Sequence, residues 1–359
     1  MNAHGRAPAL ALIAAALVAC EHAGTAPLVS TMQTPVASVA RRFIVPESIP
    51  TYEGAGQVVH PDVVYTPPGV FAYPWHLVLT PYPFSMGQYE NPSVYASADG
   101  VTWLVEPGVV NPVARPRPSG ELLSDPALVY VPESHELWLY YRSYTADSDL
   151  VWVSRTSDAV HWSSPALVLA TGSGQALSPS VVHRTTGEWL MWTVSGRCIG
   201  GGDTQVDVRT SADGVRWSAP QAATLDGLSP WHVFVRWVES LSAWLLVANV
   251  KTQQDGCQTT RLFVALSQDG LRWKHGHRPW LVAGRDSLGL FSSVVYRSAF
   301  AVVGDSIRFW YSGGSTQVST YLCERGQSMC ADSTLRWSGL GTEIRPTTDV
   351  VPPRFSWNP

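Results

Sequence analysis

Charge is scarce in this chain: Asp, Glu, Lys and Arg make up only 14% of its 359 residues, and they balance to −4. That gives no electrostatic basis for binding nucleic acid. Cysteine is sparse too, five in all, and the paired C-x-x-C spacing of a structural zinc site is missing. Beyond the first 20 residues no stretch stays apolar long enough to cross a membrane, so the remainder is expected to be soluble. No second composition regime appears, which argues for one domain with a sizeable core. What the chain has in quantity is turn and ring: Gly 29, Pro 27 and Trp 16, the composition of an exported all-β domain.

The tryptophans are not scattered. Ser97-Ala98-Asp99-Gly100-Val101-Thr102-Trp103 returns as Thr156-Ser157-Asp158-Ala159-Val160-His161-Trp162, as Ser211-Ala212-Asp213-Gly214-Val215-Arg216-Trp217 and as Ser267-Gln268-Asp269-Gly270-Leu271-Arg272-Trp273. A frayed fifth copy ends at Leu335-Arg336-Trp337. Repeats of this length announce a propeller or solenoid, and five copies predict five blades. Asp-Gly after a β-rich run is a hairpin signal, because Gly accepts positive φ while Asp bonds back to the turn. Each repeat reads as four strands, so the expectation is an all-β, five-bladed β-propeller of four-stranded antiparallel blades.

Residues 1–19 read as a leader, with Arg6 as its positive region and Leu10 to Ala19 as its apolar core. Leu17-Val18-Ala19-Cys20 resembles the lipobox of bacterial lipoproteins, which implies lipidation at Cys20 and a membrane anchor; a plain secretory signal with an incidental Cys is the alternative. Residues 20–45 then form a tether, 46–345 the propeller and 346–359 a tail, giving a monomer anchored in the bacterial cell envelope on its extracytoplasmic side. In that oxidising compartment the four remaining cysteines are read as staples. Cys323 with Cys330 is the local choice, which leaves Cys198 with Cys257 in corresponding loops of adjacent blades.

Ligands of propellers commonly sit at the mouth of the central channel, where the first strands begin. Those starts read His60-Pro61-Asp62, Ser124-Asp125-Pro126, Leu177-Ser178-Pro179-Ser180, Leu228-Ser229-Pro230-Trp231-His232 and Phe291-Ser292-Ser293. With the Tyr- and Trp-rich second strands and the turn word, the chain resembles the five-bladed glycoside hydrolases of the arabinanase, xylosidase and levansucrase kind over nearly all of residues 57–340. That resemblance implies an Asp base at blade one, a tuning Asp at blade two and a Glu acid at blade three. Only Asp125 matches cleanly; blade one offers His60 with Asp62, and blade three holds Ser178 with no Glu nearby. Sialidases share a similar turn word, but they need an arginine triad and six blades, and rank below.

Glu90, in Gln88-Tyr89-Glu90-Asn91-Pro92, falls on the same inferred face and is the candidate replacement acid. Asp62, Glu90 and Asp125 are therefore the catalytic candidates, and the ligand an oligo- or polysaccharide. His60, Asn91, Arg142 and His232 are candidates for hydrogen bonds to sugar, and Trp231 for stacking. No cofactor and no metal are expected, with His60, His232 and Asp62 a minor metal option. The alternatives to a hydrolase are a carbohydrate- or surface-binding propeller that lost its acid, and a purely structural envelope protein.

Overall fold

The computed structural model describes residues 43–350 except 45–48, 118–119, 198–202, 251–258, 286–290, 319–332 and 338–339. Residues 1–40, set apart as a separate unit, lie outside it, and with them Cys20. Every strand pairing is antiparallel, in five sheets. The inner strands are Val58–Tyr65, Leu122–Val131, Leu177–His183, Pro230–Val238 and Val294–Val303. Each contacts the next and the fifth contacts the first, so the sheets close into a ring of five blades.

The uniform four-stranded blade is not what forms: blades carry three to five strands. Blade one stops at three (Val58–Tyr65, Trp75–Pro81, Ser93–Ser97). After Trp103 only Leu104 bridges back, to Ala96, and the chain then runs through Pro107, Pro112 and Pro116. Proline has no N–H to give a ladder, so no outer strand follows. Blades two and three have four strands each. In blade four the outer position is split into Lys274–His275 and Leu281–Val282, making five. Blade five also has five, because Ser333–Trp337 and Gly341–Pro346 share one side of Ser306–Val318 and Phe43–Ile44 adds to the outside.

The repeated word explains how blades hold one another. In blade one, Asp99 Oδ1 accepts from the amides of Val101 and Thr102, both at 2.8 Å, while Ser97 Oγ accepts from the Gly100 amide. The glycine carbonyl is left facing the preceding blade. Tyr140 Oη donates to Gly214 O at 2.8 Å, Trp192 Nε1 to Gly270 O at 2.9 Å and Trp310 Nε1 to Gly100 O at 3.0 Å. Gly214 has φ +71°, and a Cβ there would come within 2.8 Å of Tyr140 Oη, so both conformation and contact demand glycine.

Register shows where this latch is absent. Tyr140 and Trp192 stand three residues beyond the one paired with the first residue of their own blade's word. Blades one and four have Val78 and Val247 there, which cannot donate. The blades that follow them are those whose word lacks glycine: Ala159 in blade two, and the frayed fifth copy.

The staples expected between cysteines are not found: the described residues contain no disulfide, and Cys198, Cys257, Cys323 and Cys330 all lie outside them. Among the described residues no helix is long and apolar enough to cross a membrane.

Candidate functional site

In blade one the register places the Asp-Gly turn at the end of the sheet carrying Tyr65 and Trp75, and His60 and Thr80 at the other. At this second end each inner strand slips register, between Val59 and Asp62, Ser124 and Ala127, Leu177 and Ser180, Pro230 and His232, and Tyr296 and Ala299. A bulge leaves residues unpaired and re-aims their side chains. His60, Asp125 and Ser178, each followed by proline, take φ of 56°, 49° and 50°. Such backbone costs of order 1–3 kcal/mol per residue and clusters at functional sites.

These bulges line a cleft of about 590 Å³ with His60, Glu90, Asp125, Arg142, Trp231 and His232, joined by Tyr82, Tyr144 and Tyr296. The rings give it apolar faces and the charged groups converge at its floor. His60, Asp125 and His232 each offer one ligand atom, and the three atoms lie within 4.8 Å of one another. His60 Nε2 is 3.5 Å from Asp125 Oδ1, and His232 Nδ1 is 3.3 Å from the same oxygen. All three atoms are buried and none is satisfied by a well-aligned hydrogen bond, although His232 Nδ1 stands within hydrogen-bonding distance of Asp125 Oδ1. Tetrahedral ligands with bonds of about 2.0–2.2 Å lie about 3.3–3.5 Å apart, so the two separations from Asp125 Oδ1 match those of a divalent transition-metal site.

The surroundings prepare the three groups for that role. His60 Nδ1 lies 3.2 Å from Glu90 Oε1 and 3.1 Å from Thr80 Oγ1, whose own proton goes to Val59 O. We assign the His60 proton to Nδ1, which turns a bare Nε2 toward Asp125. Burial holds both histidines below their ordinary pKa, keeping the imidazoles neutral, as metal ligation requires. Burial alone would raise Asp125, but the charges around it, Arg297 among them, outweigh it and hold its carboxyl well below the usual range. Burial raises Glu90.

Arg142 Nη1 lies 3.6 Å from Asp125 Oδ2, and Ser124 Oγ donates to that oxygen at 2.9 Å. Arg297, fully buried, lies 3.7 Å from Asp125 Oδ1 and donates to Pro179 O at 3.0 Å.

Two candidate residues lie elsewhere. Asn91 is buried beside the cleft and donates to Tyr52 Oη at 2.8 Å and to Gln88 O at 3.1 Å. Asp62 does not line the cleft; its Oδ1 accepts from Arg236 Nη2 at 2.5 Å. Arg236 itself lines a second cavity of about 260 Å³ with Tyr65 and Trp237, residues near the other end of the inner strands. Burial lifts the Asp62 carboxyl to about 6 against the pull of Arg236 and Arg297. The folded protein thus holds this proton more tightly than the unfolded chain, so the associated stability is fully present below about 3.8 and is lost as pH rises through about 6. Relative to Asp62→Asn, the wild type should lose about 2 kcal/mol between pH 4 and pH 6.5, measured by urea unfolding. A pH-independent difference would show that Asp62 titrates as in the unfolded chain.

Sequence reading missed Arg297 and the three tyrosines. Arg297 sits in the fifth bulge, beyond the residues recognisable as a strand start. Tyr82 and Tyr144 sit just after and at the ends of second strands, positions that topology alone marks as cleft-facing.

No family model matches the chain. It is 28% identical over 313 residues to an A type blood N-acetyl-alpha-D-galactosamine deacetylase from Flavonifractor plautii, a match covering 71% of this chain. The chain spans only 40% of that relative's length. Among solved structures it superposes on an N-acetylgalactosamine deacetylase from F. plautii, in complex with blood group B trisaccharide, with a TM-score of 0.73 and 23% identity, covering 85% of this chain and 95% of that one. It also superposes on the alpha-L-arabinanase of Penicillium chrysogenum, complexed with arabinobiose, with a TM-score of 0.52 and 14% identity, covering 84% and 80%. Together with the ring of blades, these likenesses establish a five-bladed β-propeller fold that resembles those of glycoside hydrolases.

Proposed function

We propose that the cleft is the active centre of a metal-dependent amide hydrolase that removes the acetyl group from an N-acetylated amino sugar of a glycan. The observation that carries this reading is the convergence of three buried ligand atoms from His60, Asp125 and His232, none satisfied by a well-aligned hydrogen bond. The relative named as an N-acetylgalactosamine deacetylase supports the choice of substrate. A divalent ion such as zinc, when bound, supplies a Lewis acid for the amide carbonyl and lowers the pKa of water.

The chain's own residues do the rest. Glu90 fixes the His60 tautomer through Oε1 and keeps Oε2 for a proton. Asp125 contributes the charge that offsets Arg142 and Arg297. Tyr82, Trp231 and Tyr296 offer ring faces to the sugar. In the reaction water adds to the acetyl carbon, the C–N bond breaks, and acetate and a protonated amine leave. The working unit is the propeller of residues 46–345, acting outside the cytoplasm as the leader-like residues 1–19 imply.

Glycosidic cleavage is the second reading, because Glu90 and Asp125 both line the cleft. It is less well supported, since Asp125 is enclosed by two histidines and two arginines rather than facing water. The test incubates the purified, zinc-loaded chain with an oligosaccharide ending in N-acetylgalactosamine and follows acetate and reducing sugar separately. Acetate release that stops on chelation and returns with zinc is the expected result. Reducing sugar without acetate would replace this reading by glycoside hydrolysis. Neither product, with a ligand-induced rise in Tm, would make the protein a binder.

A further inference from the structure

Resting on the amide-hydrolase reading, a residue so far without a role acquires one. Tyr144 ends the strand Glu136–Tyr144 and lines the cleft. Its ring is clamped: the Arg142 guanidinium lies 4.2 Å above the ring centre. Arg142 is in turn fixed by Asp149 Oδ1, which accepts from Nε at 3.1 Å and from Nη2 at 2.7 Å. The other oxygen of Asp149 accepts from the amides of Gln175 and Ala176 in the next blade, at 2.9 and 3.1 Å. Two blades thus combine to hold one phenol still.

The hydroxyl of that phenol is unspent, for Tyr144 Oη makes no hydrogen bond within the described residues. Burial first, then the charge of Glu90, push its pKa up, so it stays a neutral donor. Its position relative to Glu90 is marked by Gly87. A Cβ built there would lie 3.7 Å from Tyr144 Oη and 3.8 Å from Glu90 Oε2, which puts both oxygens on one wall of the cleft. A fixed, neutral donor without a partner among the described residues, in the same cleft as the carboxylate, is what a developing oxyanion needs.

We propose that Tyr144 Oη donates a hydrogen bond to the acetyl carbonyl oxygen and stabilises the negative charge that forms there. As water adds to the carbonyl carbon, the π electrons of C=O pass to that oxygen, and the Tyr144 hydrogen bond shortens without its proton being transferred. The proton that the attacking water gives up is held by Glu90 Oε2; when the C–N bond breaks, its electron pair stays on nitrogen, which takes up that proton, the oxyanion's electrons return to re-form C=O, and acetate leaves.

The test compares zinc-loaded wild type with Tyr144→Phe for acetate release from an N-acetylgalactosamine-terminated oligosaccharide, with bound zinc counted in each. Loss of one preorganised donor should lower kcat about 10²–10³-fold while KM and zinc content stay unchanged. An unchanged kcat, or a rise confined to KM, overturns the assignment. Should the Phe variant lose its zinc or its fold, Tyr144→3-fluorotyrosine keeps the shape and strengthens the donor; it should raise kcat, and an unaltered kcat there overturns the proposal. A wild type that releases no acetate sinks the amide-hydrolase reading and this one together, whereas acetate release equal in wild type and variant sinks this one alone.

Discussion

Asp125→Asn is expected to lower acetate release on the order of 10³-fold and to strip the site of bound zinc. Asn keeps the size of the side chain and removes its charge. In the wild type that charge stands 3.6 Å from Arg142 and 3.7 Å from Arg297, with His60 and His232 at 3.5 and 3.3 Å. Without it, two buried guanidinium groups face the place proposed for the dication, and repulsion adds to the lost ligand. The measurements are zinc content after dialysis and kcat, with circular dichroism to confirm that the blades persist. An Asn variant that keeps stoichiometric zinc and near-normal turnover would remove Asp125 from the metal centre, and the proposed chemistry with it.

Trp310→Ala is expected to cost about 3–5 kcal/mol, a fall in Tm on the order of 10 °C. Trp310 is fully buried and packs edge-on against Trp75 at 5.6 Å and Trp103 at 6.3 Å, both of blade one. Its Nε1 donates to Gly100 O, so truncation leaves a cavity and an unpaired carbonyl where the fifth blade meets the first. Trp310→Phe retains the ring without the N–H and should cost less than half as much. Differential scanning calorimetry of the three proteins decides. An Ala variant melting within a degree or two of wild type would mean that ring closure does not depend on this latch.

The latch also shows how much of the fold was written locally. Glycine at positions 100, 214 and 270, and its replacement at Ala159, are visible in the chain, and so is the period that counts the blades. The partners of those glycines in preceding blades, Tyr140, Trp192 and Trp310, are visible only as aromatic residues in second strands. The number of strands per blade was not legible. It depends on whether an outer segment finds an edge to pair with, and Phe43–Ile44 finds one on Gly341–Pro346, nearly 300 residues away in sequence.

For the candidate site, the sequence by itself determined which residues start the inner strands. Because a meander alternates ends, it also placed His60, Glu90, Asp125, Arg142, Trp231 and His232 on one face. The grouping of His60, Asp125 and His232 into a trio able to hold a metal ion was decided by tertiary structure alone. Strict alternation along a strand would point His60 and Asp62 to the same side, but the bulge at His60-Pro61 breaks that period. His60 turns to the cleft, while Asp62 is left buried and paired with Arg236. Arg297 and Tyr144 acquire their places only when blades two, three and five are brought around a common axis. Local sequence sets the direction of a strand; the slip in register that aims a side chain depends on the partner strand and on closure of the ring.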